Sequence, residues 1–304
     1  MAPKPIFTAT HPRACSTAFE RVFLTRRDIM DTAHEPFGDP AYFGPERLCD
    51  RFRNDVETRH ATGMADITYK DVLDSLQEPG KRGRRVFIKD MAQYLIAPHG
   101  RPTSIAQSLG AAQEPGNPTV LPIAELKKFH FTFLIRHPRR SIPSYWRCTI
   151  PPRKEVTGWD YFDPAEAGYA ELVTLFKFLD EQGIIDKSNV TVIDADDMLD
   201  NPEGIIRAYC DKTDIDFKDT MLNWNKEDDK YAQELFEKWN GWHDDALQTS
   251  CLQARAHPKK VSTIEMENKE WEEKFGSAAQ KVIRQTVDDN VPHYDYLKQF
   301  AITV

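Results

Sequence analysis

The sequence predicts an α/β fold, a central parallel β-sheet flanked by helices. Short apolar runs of strand length alternate with longer helix-like ones along the 304 residues, the pattern that parallel strands joined by crossover helices produce. Two strand-to-helix junctions are basic and rich in short polar side chains: Thr10-His11-Pro12-Arg13-Ala14-Cys15-Ser16-Thr17 and Arg136-His137-Pro138-Arg139-Arg140-Ser141-Ile142-Pro143-Ser144. A helix that starts directly after a strand points backbone N–H groups and its positive dipole end at one spot, so both junctions suit an anion.

In chain order, the first strand is Ile6–Thr8, which feeds the first basic junction, and the helix Thr17–Arg26 leaves it. A second strand, Ile29–Ala33, precedes helical patterns at Pro45–Arg59 and Tyr69–Glu78. A third, Val86–Lys89, precedes a stretch from Ala97 to Pro122 that is rich in Pro, Gly, Ser and Gln and poor in periodicity. Structureless stretches of that length are usually functional or mobile, so 97–122 is expected to be an irregular loop, either a substrate-side lid or a plain surface excursion. The fourth strand, Phe129–Ile135, feeds the second basic junction and the helix Arg139–Arg147. Asp163 before Pro164 and Asn201 before Pro202 read as N-caps with proline at the first helical position, opening helices Pro164–Gln182 and Pro202–Lys212 on either side of a fifth strand, Val190–Ile193. Gly183 is placed to stop the first of these helices. Helices at Tyr231–Trp239 and Ser277–Asp289 belong to a helical carboxyl-terminal part, 225–304. Nothing divides the chain cleanly, so 1–304 is expected to form a single domain.

Composition narrows the function. The net charge of −8 hides an asymmetry: residues 1–150 hold 22 Lys and Arg against 16 Asp and Glu, whereas residues 151–304 hold 18 against 32. Both basic junctions lie in the positive half, which would steer a small anion; a nucleic acid would meet the acidic half, and no continuous basic stripe is present. The five cysteines, Cys15, Cys49, Cys148, Cys210 and Cys251, are dispersed and odd in number, which argues against a disulfide framework and a zinc site. No His, Cys or carboxylate spacing suggests a metal site, so none is expected. The start Met1-Ala2-Pro3-Lys4-Pro5 has no leader pattern and no run is long and apolar enough to span a membrane, so a cytoplasmic protein without membrane contact is expected.

The first junction lacks the Gly-x-x-x-x-Gly-Lys-Ser/Thr string of nucleoside triphosphatases, with neither glycine nor lysine between His11 and Thr17. What it has, a Pro, an Arg, small residues and a Ser-Thr pair, resembles the 5′-phosphosulfate loop of sulfotransferases that use 3′-phosphoadenylyl sulfate (PAPS). Arg136 and Ser144 in turn resemble that family's 3′-phosphate pair, an Arg at a strand end and a Ser eight positions later. A third likeness lies at Asp194-Ala195-Asp196-Asp197-Met198-Leu199-Asp200-Asn201-Pro202, so the resemblance covers roughly residues 5–224.

The resemblance implies a P-loop-type sulfotransferase fold, and a PAPS-dependent enzyme that sulfates a small-molecule hydroxyl or phenol and leaves adenosine 3′,5′-bisphosphate (PAP). It implies a donor site of Arg13, Ala14, Cys15, Ser16, Thr17, Arg136 and Ser144, with Arg13 stabilising charge on the sulfuryl group and leaving phosphate. The base is open. Lys89-Asp90-Met91 stands where many cytosolic members have Lys-Thr-His, so their histidine is absent. Glu35, after the second strand, matches the glutamate of the protein-tyrosine sulfotransferases; its neighbour His34 and Asp90 are the alternatives, and Lys89 would assist at the sulfuryl group. Lys259 and Lys260 would either close on the 3′-phosphate or form an exposed charged turn. Of the aromatics Trp146, Trp159, Tyr161, Phe162, Trp224, Trp239 and Trp242, most are expected in the core and some against a ligand. Two other functions stay open, a kinase-like phosphotransferase and a non-catalytic nucleotide-binding member of the same fold, as does a homodimer.

Overall fold

The computed structural model of the chain describes residues 3–256 and 262–304. Five strands, β1 (Ile6–Thr10), β2 (Met30–His34), β3 (Arg85–Met91), β4 (His130–Ile135) and β5 (Thr191–Asp194), form one sheet in the order β2-β3-β1-β4-β5, with every pairing parallel. All five expected strands are present, within two residues of their expected ends.

Side chains alternate between the two faces, as the two-residue period of a strand requires. Phe7 and Ala9 of β1, Val86 and Ile88 of β3, and Phe131, Phe133 and Ile135 of β4 share one apolar cluster with the helices Tyr69–Lys81, Tyr169–Glu181 and Ser277–Lys298. Ile6, Phe87, Leu134 and Ile193 share the other with the helices Ser16–Leu24 and Pro202–Thr213. The sheet is therefore flanked by helices on both faces.

Three expectations are corrected. Pro45–Arg59 is not one helix: helices run over Gly38–Tyr42 and Val56–Ala61, and between them the N–H groups of Leu48 and Cys49 both bond to Ala41 O. The helical spacing of Leu48, Cys49 and Phe52 reflects an irregular segment tucked into the core, where Cys49 and Phe52 are buried. Pro164–Gln182 is broken at Gly168, whose φ of 77° is left-handed, giving a short 3-10 turn at Pro164–Ala167 and the helix Tyr169–Glu181. The helix Ile264–Phe275 was not expected, because seven of its twelve residues are charged and it buries only Glu267 and Trp271.

The N-caps hold: Asp163 accepts from Ala165 N and Asn201 from Gly204 N. Segment 97–122 contains one 3-10 turn, Gln107–Leu109, and is tied down by Ala106 N to Val120 O (3.0 Å) and Val120 N to Leu95 O (2.9 Å), with Ile105, Val120 and Leu121 buried. Among the described residues no helix is long and apolar enough to cross a membrane.

This topology fixes where a site can form. β1 lies between β3 and β4, so the connections leaving β1 and β4 go to opposite faces and open a crevice beyond their carboxyl ends. Both basic junctions leave strands there.

Candidate active site

The first junction turns through His11–Cys15 between β1 and the helix Ser16–Leu24. Arg13 (φ 63°) and Cys15 (φ 59°) are both left-handed, a local geometry that turns backbone N–H groups toward one concavity. Cys15 is the helix N-cap and provides no side-chain hydrogen bond, so the start of the helix is open to another acceptor. The second junction begins at Arg136 after β4; His137 caps the helix Pro138–Cys148 by accepting from Arg139 N at 3.2 Å.

The two junctions touch. Arg136 Nη1 donates to Arg13 O at 3.1 Å, and Arg13 Nε donates to Ser144 Oγ at 2.9 Å. Arg136 N donates to His11 Nε2 at 3.0 Å, Tyr169 Oη donates to Arg136 O at 2.6 Å, and the Tyr169 ring stacks on His11 with centroids 3.9 Å apart. Burial lowers the His11 pKa to about 3, which keeps the ring neutral and its Nε2 an acceptor. Arg13, Cys15, Ser16, Thr17, Arg136 and Ser144 all line one cavity of about 1140 Å³. Ala14 is fully buried behind it. Arg136 Nε is buried with no protein partner, an arrangement that an incoming acceptor would relieve. No residue of 97–122 lines this cavity.

The carboxyl ends of β2 and β3 build a buried polar cluster beside it. Glu35 lines the cavity, while its N–H bonds to Lys89 O at 2.9 Å and its carboxylate pairs with the Lys89 ammonium. Its φ of 45° is left-handed, a conformation that costs a residue with a side chain roughly 1–2 kcal/mol. Lys89 is fully buried and also faces Glu20 Oε2 at 3.5 Å. Burial alone would lower its pKa, but Glu35 and Glu20 more than offset this and raise it. Burial raises the Glu20 pKa to about 7 against the pull of Lys89. His34 is not in the cavity wall: its Nδ1 meets Glu20 Oε2 at 2.8 Å and its Nε2 meets His243 Nε2 at 3.2 Å. Asp90 faces away, accepting from Phe37 N and Met91 N at 2.8 Å, and burial followed by the Glu35 charge pushes its pKa well up.

Three of the seven singled-out aromatics, Trp159, Trp239 and Trp242, line the cavity near Glu35, together with Tyr42 and Tyr94. Trp224 lies under the Arg21 guanidinium at 3.9 Å, Trp146 packs on Phe162, and Tyr161 is largely exposed beneath Arg51.

Sequence reasoning missed the contribution of the 236–250 segment. Arg13 donates to Trp242 O and pairs with Asp245 at 3.4 Å; Thr17 Oγ1 meets His243 Nδ1 at 2.7 Å; Lys238 donates to Glu35 O at 2.8 Å. These partners lie more than 200 residues apart in the chain, and no local pattern in the sequence announces them. The same folding brings His34, Glu35 and His243 together, with one ligand atom from each within 4.8 Å of the others. Lys259 and Lys260 lie outside the described residues.

No family model matches the chain. Sulfotransferase ppzF of Metarhizium majus (strain ARSEF 297) is 23% identical over 248 residues, 73% of this chain and 71% of the relative. A branched-chain-amino-acid aminotransferase-like protein 2 of Arabidopsis thaliana is 28% identical over 213 residues, 70% of this chain but 30% of that protein. Among solved structures, a sulfotransferase domain from the curacin biosynthetic pathway aligns with 90% of this chain and 97% of its own length, at 12% identity and a TM-score of 0.46. The all-parallel sheet with helices on both faces and the alignment over 73% of the chain make this protein similar in sequence to sulfotransferases, with two basic turns meeting in one cavity.

Proposed function

We propose that the protein transfers a sulfuryl group from PAPS to the hydroxyl or phenol of a small organic acceptor. The contact of Arg136 with Arg13, and of Arg13 with Ser144, on one cavity wall carries this reading. It joins a turn suited to the 5′-phosphosulfate to one suited to the 3′-phosphate.

The residues present fit such a donor: an uncapped helix start, left-handed turn residues and a buried guanidinium nitrogen without a partner. The N–H groups from Ala14 to Thr17 with the Ser16 and Thr17 hydroxyls would hold the sulfuryl and 5′-phosphate oxygens, while Arg136 and Ser144 would hold the 3′-phosphate. The Arg13 guanidinium supplies electrostatic stabilisation as negative charge builds on the leaving phosphate. The donor brings the activated S–O bond; the acceptor oxygen bonds to sulfur as that bond breaks, leaving PAP.

Glu35 takes the acceptor proton. Of the three candidate bases it alone lines the cavity, and Tyr42, Tyr94, Trp159, Trp239 and Trp242 form an apolar wall beside it for a small acceptor. Lys89 holds the Glu35 carboxylate in place, and His34 acts from behind as a positioning residue.

A thermal-shift comparison tests the reading. PAP is expected to raise Tm in a concentration-dependent way, and ATP with Mg²⁺ is not, because only a ligand of the native state stabilises. The reverse preference would favour the kinase-like alternative, and PAP binding without transfer across an acceptor panel would favour the non-catalytic one.

A further inference from the structure

We propose that His34 Nε2, His243 Nε2 and Glu35 Oε1 bind one divalent transition-metal ion of the zinc class at the floor of the cavity. The two imidazole nitrogens face each other at 3.2 Å, close to the roughly 3.3 Å that two ligands subtend on a tetrahedral zinc at about 2.0–2.1 Å. Glu35 Oε1 lies 4.0 Å from His34 Nε2 and all three ligand atoms lie within 4.8 Å of one another, so side-chain adjustments of about 1–1.5 Å bring Glu35 to the same ion.

The far side of each ring is already held. His34 Nδ1 meets the Glu20 carboxylate at 2.8 Å and His243 Nδ1 meets Thr17 Oγ1 at 2.7 Å. A carboxylate behind a histidine fixes its tautomer, places the lone pair on Nε2 and raises its basicity.

The acidic side chains Glu20 and Glu35 both face the Lys89 ammonium, and Lys238 pairs with Asp39 at 2.9 Å, so each cation beside the site has an acidic partner. Lys89 competes with the metal for Glu35 and keeps Glu20 when it loses. Glu35 and His243 line the cavity, so a fourth position opens toward it, as in sites that bind water or a ligand. This goes beyond sulfuryl transfer: a metal on Glu35 occupies the proposed base, so the metal-loaded and transferring forms exclude each other.

The test uses the whole chain, stripped with a chelator, dialysed and titrated with Zn²⁺ by calorimetry and with Co²⁺ by visible absorption. One equivalent is expected to bind, with the intense d–d bands of low-coordinate cobalt. His34→Gln and His243→Gln are expected to abolish the bands, Glu20→Gln to weaken binding by about 10- to 100-fold, and Lys89→Met to strengthen it. Circular dichroism identifies the variants that keep the fold, and His243→Gln, at the cavity wall, is the decisive one if His34→Gln unfolds. Absence of stoichiometric uptake in the wild type, or uptake unchanged in a folded His243→Gln protein, overturns the proposal and leaves a His–His hydrogen bond in its place. Neither readout involves the nucleotide, so failure here is separate from failure of the sulfotransferase reading.

Discussion

His11 Nε2 accepts the backbone N–H of Arg136 at 3.0 Å, although 125 residues separate them in the chain. One imidazole from the first basic turn thereby sets the backbone of the second. Replacing His11 by Ala leaves a buried N–H unpaired and is expected to cost about 1–3 kcal/mol in a urea melt, whereas His11→Gln, which retains an acceptor, should cost less.

That ring also makes stability depend on pH. Its folded-state pKa is about 3 against an ordinary 6.5, so the unfolded chain binds a proton that the native state refuses. Stability is full above pH 6.5 and falls as the pH drops toward 3. His34 and His243, also held neutral by burial, act in the same direction. Urea midpoints between pH 7 and pH 4 are expected to fall less steeply in His11→Gln than in the wild type.

Arg136→Ala removes the one guanidinium that joins β4 to the first turn and carries a buried, unpartnered nitrogen. PAP affinity is expected to fall by about 2–3 kcal/mol, some 30- to 150-fold in Kd. Equal PAP affinity by calorimetry in a folded variant would remove Arg136 from the donor site.

Glu35→Gln is expected to leave PAP binding within a few-fold of wild type and to cut turnover by about 100-fold or more. Retention of the rate would move the base to His243, the other titratable group of this cluster that lines the cavity.

Gly168→Ala places a Cβ 2.1 Å from Gln93 Oε1 and 3.2 Å from Pro12 Cδ, at φ 77°. Gly63 shares the left-handed backbone, at φ 73°, but has nothing within 4 Å. Gly63→Ala is therefore expected to cost only the conformational part, roughly 1–2 kcal/mol, and Gly168→Ala more, with weaker PAP binding because Pro12 leads into the Arg13 turn. Tm and PAP titrations on the pair separate the two effects.

The strands and both turns were legible in the sequence because they are local: an apolar run, then a proline, a basic residue and short hydroxyls. Asp163 and Asn201 announced their helices for the same reason. Gly168 was hidden inside an apparently continuous helix because its role is a close approach to Gln93 and Pro12, which no neighbouring residue encodes. His243 and Lys238 escaped because each meets its partner across more than 200 residues, and Trp242 was singled out as an aromatic while its carbonyl's bond to Arg13 was not. The absence of metal spacing along the chain likewise said nothing about three ligand atoms that only the folded sheet and the 236–250 segment bring together.

The stitching of the first turn to this late segment, from Arg13 to Trp242, Thr17 to His243, and Arg21 to Ala246 and Thr249, orders events during synthesis. A ribosome that has released residue 225 has delivered every strand of the sheet and both arginines, yet the pocket still lacks its roof. The core helix Ser277–Lys298, which covers one face of that sheet, is also still to come, so the finished core and the finished pocket both wait for the last quarter of the chain.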